Sequence, residues 1–386
     1  MAEFNETEPI RDRHLSYFLA LAEQAEPEVR GPEQLIWFDR LELELDNFRA
    51  ALEWSLEKGE MGTEAGLELA SGLWWFAYMR IHQDKGRLLK QALRASKTST
   101  NPVKRAEALV KLALLDSYEE AAGDEGLTLA RTLGTAGKES VALALLDKAG
   151  RCIYQADYAG GKFFAEESLK LYRELEDRWG VCETLNWLGM SLINMGDHNQ
   201  SIAPLEESLA LARQAQDGNE IGFALWQLGR AAMLRNDYIS ASELMTESLA
   251  VFKEWKVSGG IAFVLSDLGK AVVKQGDYAR AVSLYKEVLT ICWNWGIDRY
   301  IAAGLEQLAS AIMYQQPEYA ARLLGCAEAF RQSSNSEVWP FQKQDYDRTL
   351  GFLRSHLDGT AFSTCWAEGR GMNIKQVVEN TLGGNL

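Results

Sequence analysis

The chain has 386 residues, with 55 acidic and 40 basic side chains and a formal net charge of −15. That balance excludes a surface devoted to nucleic acid, because phosphate binding needs clustered Lys and Arg, and 47% hydrophobic residues exclude global disorder. The length allows two or three average domains, or one continuous array of small units.

Seven prolines in 386 residues is under half the usual proportion, and between residues 103 and 316 the only one is Pro204. A chain that avoids proline over such a stretch is predicted to be mostly helical. Five cysteines (Cys152, Cys182, Cys292, Cys326, Cys365) are odd in number, widely spaced and without a CxxC pair. They read as buried thiols, not as a disulfide framework or a zinc site. The first residues, MAEFNETEPIRDRH, hold no apolar stretch of signal-peptide type. The charge-free run Leu69–Met79 has eleven residues, too few to cross a bilayer. A soluble, cytoplasmic protein without membrane contact is expected.

In chain order, residues 1–60 read as a helical opening segment and residues 61–140 as degenerate helical hairpins, Ala65 to Ala95 and Ala106 to Gly137. A helix beginning near Thr63 carries Trp74, Trp75, Phe76 and Tyr78. Adjacent aromatics point to different faces of a helix, so the cluster reads as core between hairpins. Trp179, Trp293 and Trp295 are expected to pack inter-repeat loops in the same way. The string Gly134-Thr135-Ala136-Gly137-Lys138-Glu139-Ser140 has the wrong glycine spacing for a phosphate loop and a Glu where magnesium needs a hydroxyl. It reads as an inter-helix turn with Gly137 as a C-cap.

Residues 141–334 repeat with a period of forty. Leu188-Gly189, Leu228-Gly229, Leu268-Gly269 and Leu308-Ala309 hold one register. Asp157, Asp197, Asp237 and Asp277 hold a second, and Glu167-Ser168-Leu169, Glu207-Ser208-Leu209, Glu247-Ser248-Leu249 and Glu287-Val288-Leu289 a third. Each unit reads as two helices: Ile221, Leu225, Leu228 and Ala232 stand at helical spacing, Asn236-Asp237 breaks the pattern, and Ala241, Met245, Leu249 and Phe252 resume it. The small residue after each Leu is required where a larger side chain would hold the two helices apart. Each Asp is placed to accept backbone N–H bonds at the start of the second helix. Pro204 predicts a helix that starts late, near Ser201, or is kinked there. Residues 335–386 read as a C-terminal helical cap. The fold class is all-α, with a solenoid of helical hairpins between the two end segments.

These features resemble the tetratricopeptide repeat, with Gly276-Asp277-Tyr278, Ala281 and Tyr285 the closest match to its pattern. The resemblance implies a right-handed α-solenoid whose first helices line a concave groove. A period of forty instead of thirty-four implies a longer second helix or a longer loop after it. Residues 11–57, through Arg13-His14, Tyr17 to Ala22, Leu41, Glu44 and Asp46 to Leu52, resemble the segment that opens the helical sensor arm of bacterial STAND-type regulatory ATPases. Ala320 to Gly325, Trp339-Pro340 and Phe362 to Leu382 resemble the closing segment of the same proteins. The family's full-length members couple an NTPase switch to an effector, often a DNA-binding regulator. With no G-x-x-x-x-G-K-[ST] motif in the chain, the resemblance implies a sensor arm without its motor.

Catalytic patterns are absent. His14, His82, His198 and His356 lie in four separate segments without partners at metal-ligand spacing, and no Gly-x-Ser-x-Gly elbow or Cys–His pairing is readable. Glu166-Glu167 and Glu206-Glu207 recur with the repeat and read as a solvated helix face. No catalytic, cofactor or metal-binding residue is expected. Counting Gly189, Gly229 and Gly269 as position eight, the groove-facing positions of the resembled repeat give Glu183, Asn186, Met190 and Asn194 in one unit. The next two give Phe223, Trp226, Arg230 and Leu234, then Phe263, Ser266, Lys270 and Lys274. The candidate site is Asn186, Asn194, Trp226, Arg230, Phe263, Lys270 and Lys274, where inward cations in an acidic chain would hold an anionic or amide-rich partner. Three functions fit: a regulatory arm beside a linked NTPase or effector domain, a stand-alone adaptor for a protein or peptide, and a sensor for a small-molecule, sugar-like inducer.

Overall fold

The computed structural model describes residues 4–80, 86–96, 101–116, 119–295, 298–338 and 340–383. Among them are twenty-one α-helices in successive packed pairs, and no strand. The chain divides into two compact units, Met1–Ile221 and Gly222–Leu386. Unit 1 holds α1 (Phe4–Glu28), α2 (Gln34–Leu43), α3 (Leu45–Glu57), α4 (Glu60–Gly72), α5 (Trp74–Arg80) and α6 (Arg87–Ala95). It continues with α7 (Pro102–Leu115), α8 (Glu120–Thr132), α9 (Lys138–Tyr154), α10 (Tyr158–Glu174), α11 (Arg178–Met195), α12 (Ile202–Ala215) and the first turn of α13 (Gly218–Leu234). Unit 2 holds the rest of α13, α14 (Tyr238–Glu254), α15 (Ser258–Lys274), α16 (Tyr278–Trp295), α17 (Asp298–Ile312) and α18 (Pro317–Ser333). The C-terminal helices α19 (Pro340–His356), α20 (Gly359–Arg370) and α21 (Ile374–Leu382) complete it.

The forty-residue period comes from the helices. α9, α10, α13, α14 and α15 have 17 residues each, and three-residue turns such as 155–157 and 255–257 join them, so the length beyond thirty-four is not in a following loop. The turns share one device. Ala156, Glu176, Gln216, Asn236, Lys256, Gly196 and Gly276 all take positive φ, a left-handed residue that stops the helix before the next one starts. Asp157, Asp237 and Asp277 then accept the N–H of Gly160, Ser240 and Arg280 at 2.9 to 3.1 Å, the expected capping role. Asp197 departs from it because α12 begins only at Ile202, with Ser201 before it. Pro204 thus falls in the first turn, where its missing N–H leaves no helical bond unmade.

The small-residue register is a contact requirement. A Cβ on Gly189 would stand 2.4 Å from Leu205, on Gly229 2.7 Å from Met245, and on Gly269 2.3 Å from the ring of Tyr285. Gly269→Ala is therefore expected to lower stability by about 1–3 kcal/mol, read as a fall in the urea midpoint, and an unchanged midpoint would contradict the close approach. A second glycine register lies at the junctions between repeats: Tyr172 covers Gly180 and Phe252 covers Gly260, with a Cβ 2.1 and 2.7 Å from those rings. The serine of the third register is a tether. Ser168, Ser208 and Ser248, all buried, donate their hydroxyls to the carbonyls of Ala142, Cys182 and Gly222 on the preceding helix.

In unit 1, Trp74, Trp75 and Phe76 are buried after the chain breaks at Leu73 between α4 and α5. Phe76 meets Phe38, while Trp74 and Trp75 meet Trp179 edge-on at 5.9 and 5.2 Å, so the cluster is core, and Trp179 packs against α5. The turn after α8 differs from expectation. Gly134 takes the left-handed position, φ +59°, and Gly137 sits before α9 with φ −95°, so Gly137 is not the C-cap. It must be glycine because a Cβ there would stand 2.0 Å from the Ala130 carbonyl oxygen. The five thiols are unpaired, four of them buried and Cys152 half-buried. No helix among the described residues is long and apolar enough to cross a membrane. His82 and Trp339 lie outside the described residues, as does the side chain of Trp295.

Candidate functional site

The structure places the seven candidate residues in two settings, one in each unit. In unit 2, α13 supplies Trp226 and Arg230, and α15 supplies Phe263, Lys270 and Lys274. Trp226 stacks on Phe263 with ring centroids 5.5 Å apart and planes 11° from parallel. Its indole N–H donates to Oδ2 of Asp267 at 2.9 Å. Asp267 is the centre of this group. Its Oδ1 takes a hydrogen bond from Lys270 Nζ at 3.1 Å, and Arg230 Nε lies 3.5 Å from Oδ2. Lys270 also lies 3.5 Å from a carboxylate oxygen of Asp345 on α19. Beside them, Ser266 donates to Oε1 of Gln307 on α17 at 2.9 Å.

Burial penalises the Asp267 charge, yet Lys270, Arg230 and the Trp226 hydrogen bond together hold the carboxyl below its usual range. Burial likewise penalises the Lys270 ammonium, which Asp267 and Asp345 hold above its usual value. Arg230 and Lys270 are thus not an uncompensated cationic patch. Two cations face two carboxylates, and Lys274 stands exposed in the last turn of α15. Asp267 was missed in the sequence because it lies one residue beyond the groove-facing position of Ser266. A carboxylate among cations spaced by the repeat is the signal that marks it.

In unit 1, Asn194 donates to its own helix, to the Met190 carbonyl at 2.8 Å. Asn186 is 5% exposed and donates Nδ2–H to Glu220 Oε2 at 2.8 Å. That bond leads to an acidic group absent from the sequence reading apart from Glu183. Asn219 donates to Glu220 Oε1 at 2.9 Å, and Asp217 Oδ1 accepts the backbone N–H of Asn219 and Glu220 at 3.0 and 3.2 Å. The Glu183 and Glu220 carboxyls are neighbours, each shifting the ionisation of the other. Burial, then the neighbouring charges of Glu183 and Asp217, push Glu220 well above the carboxylate range. Burial pushes Asp217 up to about 7 against two backbone hydrogen bonds. The legible signal was in the junction register: Glu220 stands where Gly180 and Gly260 stand in the neighbouring repeats, and Ala212 where Tyr172 and Phe252 stand.

Among the described residues no group of three His, Cys, Asp or Glu side chains is disposed to hold a metal ion. What the geometry defines is a helical-repeat protein with polar and aromatic clusters on successive first helices. The hairpins of residues 180–254 and 220–292 match the tetratricopeptide repeat.

Two curated relatives, from Mycobacterium bovis and from Mycobacterium tuberculosis, carry the description HTH-type transcriptional regulator. Each is 31% identical over 206 residues, 49% of this chain. The chain spans only 22% of the length of those relatives. Among solved structures, the fold is similar to a STAND protein with a tetratricopeptide repeat sensor from Pyrococcus horikoshii (TM-score 0.57, 12% identity, 92% of this chain and 55% of that one). It is similar also to a Rap protein solved with Competence and Sporulation Factor (TM-score 0.54, 14% identity, 92% and 99% covered). A third similar structure is NprR with its cognate peptide NprX (TM-score 0.51, 12% identity, 81% and 92% covered).

Proposed function

We propose that this chain is a sensor or scaffold module that captures a protein or peptide partner along the first helices of its repeats. In a longer protein it would act as the regulatory arm of a STAND-type ATPase or transcriptional regulator. One observation carries the binding reading. Lys270, beside the Trp226–Phe263 platform, already holds a carboxylate delivered by the C-terminal cap, Asp345 of α19. An anionic partner would use that same chemistry, its carboxylate replacing Asp345 and its chain lying on the aromatic platform, while Ser266 and Gln307 meet backbone amides. The peptide complexes of Rap and NprR support the choice of a peptide over a small molecule, and the names of the mycobacterial relatives support a regulatory setting.

The test is fluorescence polarisation with a library of acidic peptides. Lys270→Glu is expected to weaken a bound peptide by at least about tenfold, the loss of one charge-assisted hydrogen bond, and Asp345→Asn to tighten it. Affinities that ignore both changes would move the site elsewhere. The regulatory role is tested in a longer relative, where deleting this arm should change ATP turnover or oligomeric state. Unchanged values would leave the adaptor reading in its place.

A further inference from the structure

The acidic group of unit 1 includes two buried acceptors that lack donors. Asn186 and Asn219, 5% and 2% exposed, both direct their amide N–H groups to Glu220. Their carbonyl Oδ1 atoms are buried without a hydrogen-bond partner. A buried acceptor left unsatisfied costs about 1–3 kcal/mol, so two of them beside three carboxyl groups describe a place for a hydrogen-bond donor. No Lys or Arg among the described residues forms an ion pair with Glu183, Asp217 or Glu220. The cation whose charge reaches Glu183 and Asp217 is Arg30. Its guanidinium is held over the rings of Trp179 and Trp74, at 4.2 and 5.0 Å. Of the other titratable side chains in this field, Tyr78, Tyr172 and Cys182 are neutral groups whose ionisation the carboxylates oppose further.

At the junctions on either side an aromatic ring of the second helix covers a glycine, Tyr172 on Gly180 and Phe252 on Gly260. Here both are replaced, by Ala212 and Glu220, as they are by Cys292 and Tyr300 at the last junction, and Glu220 puts a carboxyl at this one. Glu183 is half-buried and so reaches the surface, and beside it Trp187 donates its indole N–H to Glu183 Oε1 at 3.1 Å. Trp187 also meets the exposed ring of Tyr154 edge-on. Acceptors inside and aromatic faces at the rim are the surroundings that hold an organic cation.

We propose that Glu183, Asp217 and Glu220, with the carbonyl oxygens of Asn186 and Asn219, form a binding site for an alkylammonium or guanidinium group. Such a group is carried by the basic side chain of a peptide or by a free polyamine. Its N–H donors satisfy both asparagine oxygens, and its charge favours the ionised form of the neighbouring carboxyls, so binding and deprotonation are coupled. The site lies wholly within unit 1 and rests on different residues from the anionic-partner reading of unit 2, so either can fail alone.

Calorimetric titration of the full chain with agmatine, spermidine and acetyl-Gly-Arg-Gly-amide, in two buffers of different ionisation enthalpy, tests this directly. Saturable binding with net proton release is expected, with affinity rising from about pH 6 to about pH 8 as the three carboxyls ionise more readily. Glu183→Gln/Glu220→Gln is expected to lower affinity by at least about tenfold while leaving the ligand-free urea midpoint unchanged or higher. Tighter binding of the peptide than of agmatine and spermidine assigns the cation to a peptide side chain, and the reverse order to a free polyamine. Failure of all three probes to bind saturably, binding without proton release, or full affinity in the double variant would overturn the proposal. The proton-release measurement needs only the unaltered chain, so it decides the matter even where the variant does not fold.

Discussion

Replacing Asp267 by alanine is expected to lower the stability of unit 2 by about 3–5 kcal/mol, the usual cost of removing one partner from a buried ionic group. The carboxylate is 7% exposed, accepts from the Trp226 indole and the Lys270 ammonium, and pairs with the Arg230 guanidinium. Alanine leaves the indole N–H without its acceptor and two cations side by side, with Asp345 near Lys270 and Gln227 bonded to Arg230. The measurement is the urea midpoint of unit 2, followed by hydrogen exchange in α13 and α15. A loss under about 1 kcal/mol, the range of an exposed pair, would show that solvent screens the group.

The same substitution separates two roles for the cluster. Removing the whole ionic group, by Asp267→Leu with Arg230→Met and Lys270→Met, is expected to restore most of the lost stability, since apolar side chains of similar volume often replace buried ion pairs at little cost. That triple variant should nevertheless bind acidic peptides no better than Lys270→Glu. Recovery of stability without recovery of binding would identify charges kept for recognition, a pattern expected where function and stability compete.

What was legible in the sequence follows the range of the interactions. The repeat markers were readable because each acts locally or at a fixed offset: glycine beneath a facing side chain, aspartate capping the next helix, serine tethering back across 26 residues. The same regularity put Asn186, Trp226, Arg230, Phe263 and Lys270 on first helices, which are α11, α13 and α15. Their charge state was not readable, because Asp267 reaches Arg230 across two helices and Asp345 comes from the cap, outside the period altogether. The acidic group of unit 1 was hidden for a related reason. Asp217, Asn219 and Glu220 sit at a turn and the first turn of a helix, where a positional rule for the groove does not look. Their departure from the Gly180 and Gly260 register was visible as composition without a stated cause.

Stability should fall as pH rises, against the trend set by ordinary salt-bridged carboxylates, and unit 1 should carry the effect. An acid whose pKa is higher in the folded state than in the unfolded chain binds its proton more tightly when native. Its contribution is complete below the unfolded value and is lost as pH climbs through the folded one. For Asp217 that window runs from its ordinary value of 3.8 to about 7, and Glu220 and Glu183 are displaced in the same direction. Between about pH 5 and about pH 8 the loss is expected to reach roughly 2–4 kcal/mol, given about 1.4 kcal/mol per pKa unit. Carboxyls held low, such as Asp267 and Glu26, are charged in both states throughout that window and do not oppose it. Glu220→Gln removes the charge that neither burial nor the neighbouring acids favour, and the carboxamide of Asn186 can turn over so that its orphaned oxygen accepts from the new amide. The variant should therefore match the unaltered chain near pH 5 and exceed it near pH 8, flattening at least half of the slope. Paired urea titrations at the two pH values decide it. A chain equally stable at both, or a variant that loses stability at high pH, would mean that the three carboxyls are solvated in solution.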